Sequence, residues 1–144
     1  MESIAIKDLT IHRLHQNIDD KEKRIAVTYV LTIDDTDHTI TNVHFSNKDE
    51  PALLHLKEVL ALTSDEGIIA GDFNIHGYNM TTYKDIYGPK YVSSYDLQKY
   101  ISFPSQGNTF DYVLASQSFL MEKVICREEN LSDHRMLLVS ISAQ

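Results

Sequence analysis

Cysteine is almost absent from this 144-residue sequence. The one thiol, Cys126, excludes an internal disulfide and any multi-cysteine zinc site. Its neighbours Val124 and Ile125 suggest a strand, so a packed thiol is expected there rather than a nucleophile. No apolar run approaches the roughly 20 residues of a membrane-spanning helix. The opening Met1-Glu2-Ser3 lacks the basic-then-apolar pattern of a secretory signal, and a cytoplasmic setting is the expectation. Basic stretches are missing as well. The formal charge is −8, with a balance of −6 up to Glu66 and −2 from Gly67 onward. A protein that grips a long duplex usually shows a basic face, because neutralising phosphates supplies much of the affinity. Tight duplex binding is therefore disfavoured, while a small phosphate ester, or a nucleic acid held through bound cations, stays open. There is no internal repeat and no low-complexity tract. Apolar content of 42% and charged content of 24% are those of a globular protein. The length predicts a single domain over residues 1–144.

Taken in order, residues 3–6 form a short apolar stretch and residues 10–15 alternate loosely. Residues 17–23 form a charged turn. Residues 24–33 alternate Ile25, Val27, Tyr29, Leu31 and Ile33 with smaller residues, a strong strand pattern. After an acidic turn at 34–37 the chain returns at 38–45, so an antiparallel hairpin is expected. Residues 51–62 read as a helix with Pro51 in its first position and a Leu53, Leu56, Leu60 stripe that Val59 extends. His55, Lys57 and Glu58 then fall largely on the wet side. An exit loop at 63–66 leads to another strand. Residues 75–107 hold three of the five glycines, two of the three prolines and six of the eight tyrosines. That stretch predicts short helices or ordered loops, its tyrosines packing over a core edge or stacking on a base. Strands follow at 109–115 and 119–126, then a polar loop at 127–130 and a last strand at 136–141.

Polar groups stand at or beside the ends of these strands. Ile68 to Asn74 reads as a short core strand ending in Gly71, Asp72, Phe73 and Asn74. An Asp and an Asn two residues apart on an extended chain point the same way. An ordinary Asx turn explains the same residues equally well. Asp111 is a carboxylate inside an otherwise apolar strand, a costly place without a partner. With His44, Asp133 and His134 these groups make up a kit for metal-assisted hydrolysis of a phosphate ester. Carboxylates hold a hard cation through oxygen. An Asp and an Asn can position and polarise water. An imidazolium oriented by a buried carboxylate stabilises charge on the transferring phosphoryl group, with Asp111 and His134 as the natural pair. His76 is close enough to touch substrate, although a solvated loop histidine is the simpler reading.

The order of a strand ending at His44, a helix, Gly71-Asp72-Phe73-Asn74, Phe110-Asp111-Tyr112-Val113-Leu114 and Ser132-Asp133-His134 resembles the endonuclease/exonuclease/phosphatase superfamily. The match covers roughly residues 24–141. The resemblance implies an α+β fold of deoxyribonuclease I type: a β-sandwich of two packed, mostly antiparallel sheets with flanking helices. It implies that His44 contacts the scissile phosphate, and that Asp72 orients or deprotonates the attacking water with Asn74 beside it. Asp111 would pair with His134, and His134 would hydrogen-bond the phosphoryl group. Mg²⁺ or Mn²⁺ would be the cofactor, on Asp133 with Asp72 and Asn74, and the substrate a phosphodiester or phosphomonoester. Family members open with strands and a metal-binding Glu for which this sequence has no matching segment; Glu2, Glu22 and Glu50 stand in other contexts. The chain therefore resembles the C-terminal two-thirds of the fold. An unpaired sheet edge is expected, covered by a homodimer mate or a complementing chain. A catalytically silent domain with a binding or assembly role is the alternative.

Overall fold

The two apolar stretches expected near the N-terminus belong to one strand, β1 (Ile4–Arg13). A bulge between Lys7 and Thr10 interrupts its pairing, with Asp8 at φ 53°. The computed structural model describes residues 4–16, 18, 21–33, 35–63, 67–128 and 131–144. Glu2, and the parts of the expected turns and loops at 17, 19–20, 34, 64–66 and 129–130, lie outside the described residues. Alternation at 24–33 builds the expected hairpin: β2 (Ile25–Ile33) pairs antiparallel with β1 on one side and with β3 (Thr36–His44) on the other.

The helix α1 (Asp49–Leu62) begins two residues earlier than the sequence suggests, which makes Pro51 its third residue. Its buried residues keep Leu56 and Val59 of the expected stripe and add Ala52 and His55. His55 is thus a core residue and not on the wet side. Its ring packs against Phe45, its Nδ1 accepts from the Ser46 N–H at 3.2 Å, and its Nε2 lies 2.7 Å from the His15 carbonyl. Both ring nitrogens being satisfied is what makes burial tolerable. α1 crosses over to β4 (Gly67–Asp72), which runs parallel to β3.

The tyrosine-rich connection contains α2 (Gly77–Thr82), α3 (Lys84–Tyr87), β5 (Tyr91–Ser93), α4 (Ser94–Leu97) and a 3₁₀ turn at Pro104–Gln106. Tyr87, Tyr91 and Tyr100 are buried, and Tyr112 of the following strand joins them. These rings are core, and the exception is the exposed Tyr78. β6 (Asp111–Ser116) pairs antiparallel with β4 and β5, closing a six-stranded sheet of order β1-β2-β3-β4-β6-β5. β7 (Phe119–Cys126) and β8 (Leu137–Ala143) form a second, two-stranded sheet. Cys126 is a packed thiol: burial raises its pKa and its sulfur donates to the Ile101 carbonyl at 3.3 Å.

Register decides which residues share a face, since directly opposed residues point the same way. One face carries Ala26, Val43, Ile69, Tyr112 and Leu114 into the main core with α1. The other carries Ile68, Val113 and Ala115 against Met121, Val124 and Val139 of the second sheet. This same face continues outward through Ile40, Leu31 and Ile33 to Ile4 and Ile6, which are 65% and 66% exposed. An apolar groove of about 250 Å³ between Leu31, Ile33, Ile40 and Phe119, Ile141 marks where the second sheet stops.

Gly71 pairs with Val43 at φ 143°, and a Cβ there would lie 2.0 Å from the Val43 carbonyl oxygen. Only glycine lets β4 approach β3 this closely. Gly71→Ala is expected to cost about 2 kcal/mol and to lower Tm by roughly 5 °C. A thermal melt unchanged from wild type would show that the backbone absorbs the clash.

Candidate functional site

Register also builds the site. His44 at the end of β3 is paired with Asp72 at the end of β4, and Asp72 is paired with Asp111 at the start of β6. The three side chains therefore stand in one row, on one face, at one end of the sheet. The backbone continues to pair beyond the row, with Phe45 N donating to Asp72 O at 2.9 Å and Phe73 N to Phe110 O at 2.8 Å. Phe45, Phe73 and Tyr112 pack edge to face beneath it, with ring centroids 5.0 and 5.4 Å apart. The row thus rests on a rigid aromatic base.

Asp111 is held from both sides. Its N–H donates to Ser102 Oγ at 3.2 Å, and its carbonyl accepts from the Tyr100 hydroxyl at 2.9 Å. Its carboxylate finds the partner that its strand position demands: His134 Nδ1 donates to Asp111 Oδ2 at 2.8 Å. His134 comes from the segment before β8, where Ser132 Oγ accepts from its N–H at 3.2 Å. With Nδ1 occupied, Nε2 is turned toward Asp72, 3.9 Å from Oδ2, and the His44 Nε2 lies 3.5 Å from the same oxygen.

Asp72 and Asn74 satisfy both sequence readings at once. Asp72 Oδ1 accepts from the Asn74 N–H at 2.8 Å, a turn contact, while Oδ2 is left to the histidines. The strand ends at Asp72 and Asn74 sits at φ 50°, so the two side chains do not align by strand alternation. They converge through the turn instead. Asn74 Nδ2 donates to the Phe45 carbonyl at 3.0 Å, which fixes the amide and leaves its oxygen as an acceptor.

His44, Asp72, Asn74, Asp133 and His134 line one cleft of about 670 Å³. The expected set thus comes together, with Asp111 behind His134. Asp133 is exposed, and its Oδ1 accepts from Ser132 at 3.1 Å. The donor atoms of Asp72, Asp111 and His134 all lie within 4.8 Å of one another, the group among the described residues with spacing suited to a cation. Glu22 lines the same cleft, but its carboxylate pairs with Arg24 at 2.8 Å; Glu50 sits in the first turn of α1. His76 Nδ1 is bonded to the Asn108 amide, and its ring packs on Phe110 at 5.0 Å, so it is a fixed wall rather than a solvated loop residue.

Charge crowding tunes the site. Burial is the main cause that raises the Asp72 pKa; the Asn74 N–H opposes it, Asp111 adds to it, and the two histidines lower it. A cation among these oxygens would relieve that crowding, so the donor set fits a hard divalent metal. For His134, burial alone pushes the pKa down. The hydrogen bond and charge of Asp111, with Asp72 and Asp133, outweigh this and hold it above 6.5.

The residues missed by sequence reasoning are Lys21, Arg24, Asn47 and Lys48, which line the same cleft, and Phe103, which packs its ring 4.8 Å from His134. They come from separate loops and carry no local spacing signal.

No protein-family model matches the sequence, and neither does any curated protein. Solved structures do match in three dimensions. A functionally unknown conserved protein from Enterococcus faecalis aligns with a TM-score of 0.79 at 14% identity, covering 98% of this chain and 68% of that one. The catalytic domain of human Nocturnin aligns at 0.73 and 16%, covering 98% and 60%. A mannosyl-6-phosphatase from Bacteroides thetaiotaomicron aligns at 0.71 and 16%, covering 96% and 67%. Several others are described as endonuclease/exonuclease/phosphatase proteins. The chain has their α+β, deoxyribonuclease I-like fold, and it spans 60% to 68% of the length of the three solved chains named.

The raised pKa of His134 has a defined consequence. In metal-free protein, NMR titration of its ring should give a midpoint above 6.5, and Asp111→Asn should lower it. The stabilisation from the charged pair is complete below the unfolded pKa and is lost as pH rises through the folded one. A midpoint unmoved by Asp111→Asn would remove Asp111 as its cause.

Proposed function

We propose that this chain carries the catalytic centre of a divalent-metal-dependent phosphoesterase that cleaves its substrate by water attack. The observation that carries this reading is the in-register row of His44, Asp72 and Asp111 with His134 seated on Asp111. Asp72, the member of the close carboxylate–histidine cluster not committed to the Asp111–His134 bond, would hold Mg²⁺ or Mn²⁺ with Asn74 and Asp133 of the same cleft; the ion when bound would screen the phosphate and stabilise the leaving oxygen. Asp72 Oδ2 accepts a proton from the attacking water, helped by the cleft's desolvation of that carboxylate. The Asn74 amide oxygen holds the same water in line. His134 presents Nε2–H to a phosphoryl oxygen, and His44 supplies a second donor from the opposite end of the row. Asp111 is a positioning residue: it fixes the His134 tautomer and favours its charged form.

One solved neighbour is named as a mannosyl-6-phosphatase, but fold membership alone does not choose among phosphate esters. The bare apolar face of β1–β3 favours one further element of the proposal. Additional strands, from a second copy or a complementing chain, cover it. A silent domain with an assembly role shares that element but not the catalytic one.

Hydrolysis of bis(p-nitrophenyl) phosphate with Mg²⁺ is expected from the wild-type protein, to stop in EDTA, and to fall by about 100-fold in His134→Ala, some 2.7 kcal/mol of transition-state stabilisation. Equal rates for wild type and variant would sink the catalytic assignment and leave the silent domain. Sedimentation at concentrations well above micromolar should show self-association, or co-purification with a partner. A clean monomer with no partner would refute the covering strands.

A further inference from the structure

One peptide unit beside the cleft is bound through both of its polar groups. The Phe45 carbonyl accepts from Asn74 Nδ2 at 3.0 Å, and the Ser46 N–H donates to His55 Nδ1 at 3.2 Å. These two groups belong to the same planar peptide, and in the trans form they point in opposite directions. A rotation of that plane that loosens one bond therefore loosens the other. Phe45 N is also tied to the Asp72 carbonyl at 2.9 Å, so the plane stands where β3, the Asp72–Asn74 turn and α1 meet. Its orientation sets where the Asn74 carboxamide lies.

His55 lies behind this peptide, fully out of solvent, with its ring 5.8 Å from that of Phe45. The other residues buried along α1 include Ala52, Leu56 and Val59, and a leucine in place of the histidine would avoid desolvating an imidazole. A leucine could not accept the Ser46 N–H, and Ser46 is itself buried. The second ring nitrogen serves another wall. Nε2 donates to the His15 carbonyl at 2.7 Å, while Glu58, three residues along α1, accepts from the His15 N–H at 2.9 Å. His15 leads into the connection that brings Lys21, Glu22 and Arg24 to the cleft. An accepting Nδ1 and a donating Nε2 fix a single tautomer of His55.

We infer that His55 is a positioning residue of the candidate site: through the Phe45–Ser46 peptide it holds the Asn74 carboxamide, and with it the oxygen that faces the attacking water. This rests on the phosphoesterase reading and extends it to a side chain outside the cleft. His55 touches nothing that reacts. Its influence arrives through two hydrogen bonds in series across one rigid peptide. The Nδ1 arm governs Asn74, and the Nε2 arm holds only the His15 wall.

Two substitutions separate the arms. His55→Asn keeps a carboxamide oxygen where Nδ1 stands, and His55→Gln puts its terminal nitrogen where Nε2 stands, so each gives up one buried hydrogen bond. With bis(p-nitrophenyl) phosphate and Mg²⁺, His55→Gln should lower kcat about ten-fold with KM within about two-fold, while His55→Asn should keep kcat within about three-fold of wild type. In an Asn74→Ala background, His55→Gln should leave the residual kcat unchanged. A merely structural role would lower activity in step with Tm for both variants, and would lower the residual rate of Asn74→Ala as well; either result overturns the inference. NMR gives the reciprocal reading with no change at His55 and no turnover. Asn74→Ala should move the His55 Nδ1 nitrogen resonance, and move it more than that of Nε2. An unmoved Nδ1 would overturn the inference even where both His55 variants fail to fold. Wild-type protein that shows this NMR response but no turnover would overturn the phosphoesterase reading alone.

Discussion

The register between β3, β4 and β6 is the constraint on which the rest depends. It aligns His44 with Asp72 and Asp72 with Asp111. A slip of one residue in any of the three strands would send that strand's side chain to the opposite face, into the α1 core. The register is pinned where β4 meets β3, because Gly71 lets the backbone press against the Val43 carbonyl. The glycine beside the carboxylate is thus part of the site's geometry, though it touches nothing that reacts. The aromatic trio below, Phe45, Phe73 and Tyr112, comes from the same three chain segments and locks them from the core side.

Around this row, the cost of gathering carboxylates is offset locally. Asp111 lies between apolar neighbours in β6, yet its backbone is bonded by Ser102 and Tyr100 and its carboxylate by His134. Asp72 is less compensated, with one oxygen committed to the Asn74 N–H and the other facing two imidazoles at 3.5 and 3.9 Å. That asymmetry separates the roles. The well-paired carboxylate orients an imidazole, and the under-paired one takes a proton or a cation. Along the cleft, Lys21, Arg24 and Lys48 stand against the carboxylates of Glu22, Asp72 and Asp133, so formal charge there is balanced in a chain that is acidic overall.

Much of this was legible in the sequence, for identifiable reasons. Period-two alternation located β2 and β6, the hairpin pattern located β3, and the mismatch of a carboxylate within an apolar strand singled out Asp111 and pointed to His134 as its partner. The helix was placed but its face was not. Leucine spacing favoured Leu53, Leu56 and Leu60 with Val59, whereas the structure buries Ala52 and His55 as well, the latter through its two hydrogen bonds. A histidine's burial depends on partners, here Ser46 and His15, that lie far along the chain and that periodicity does not see. Arg24, Asn47 and Phe103 were invisible for the same reason. Each sits in a loop of unremarkable composition, and only the fold brings them beside His134.

The row and the bare apolar surface belong to the same face of the same sheet. Along β3, Ile40 and His44 point the same way, and across the sheet that face runs from Ile4 and Ile6 through Leu31 and Ile40 to Asp72 and Asp111. β7 and β8 cover it over β6, and Phe119 of β7 packs its ring 5.4 Å from that of His38 in β3. The groove at Leu31, Ile40 and Phe119 and the cleft at His44 thus lie at successive positions along the same face of β3. A strand that covered the isoleucines would lie along the face whose far end carries His44, Asp72 and Asp111.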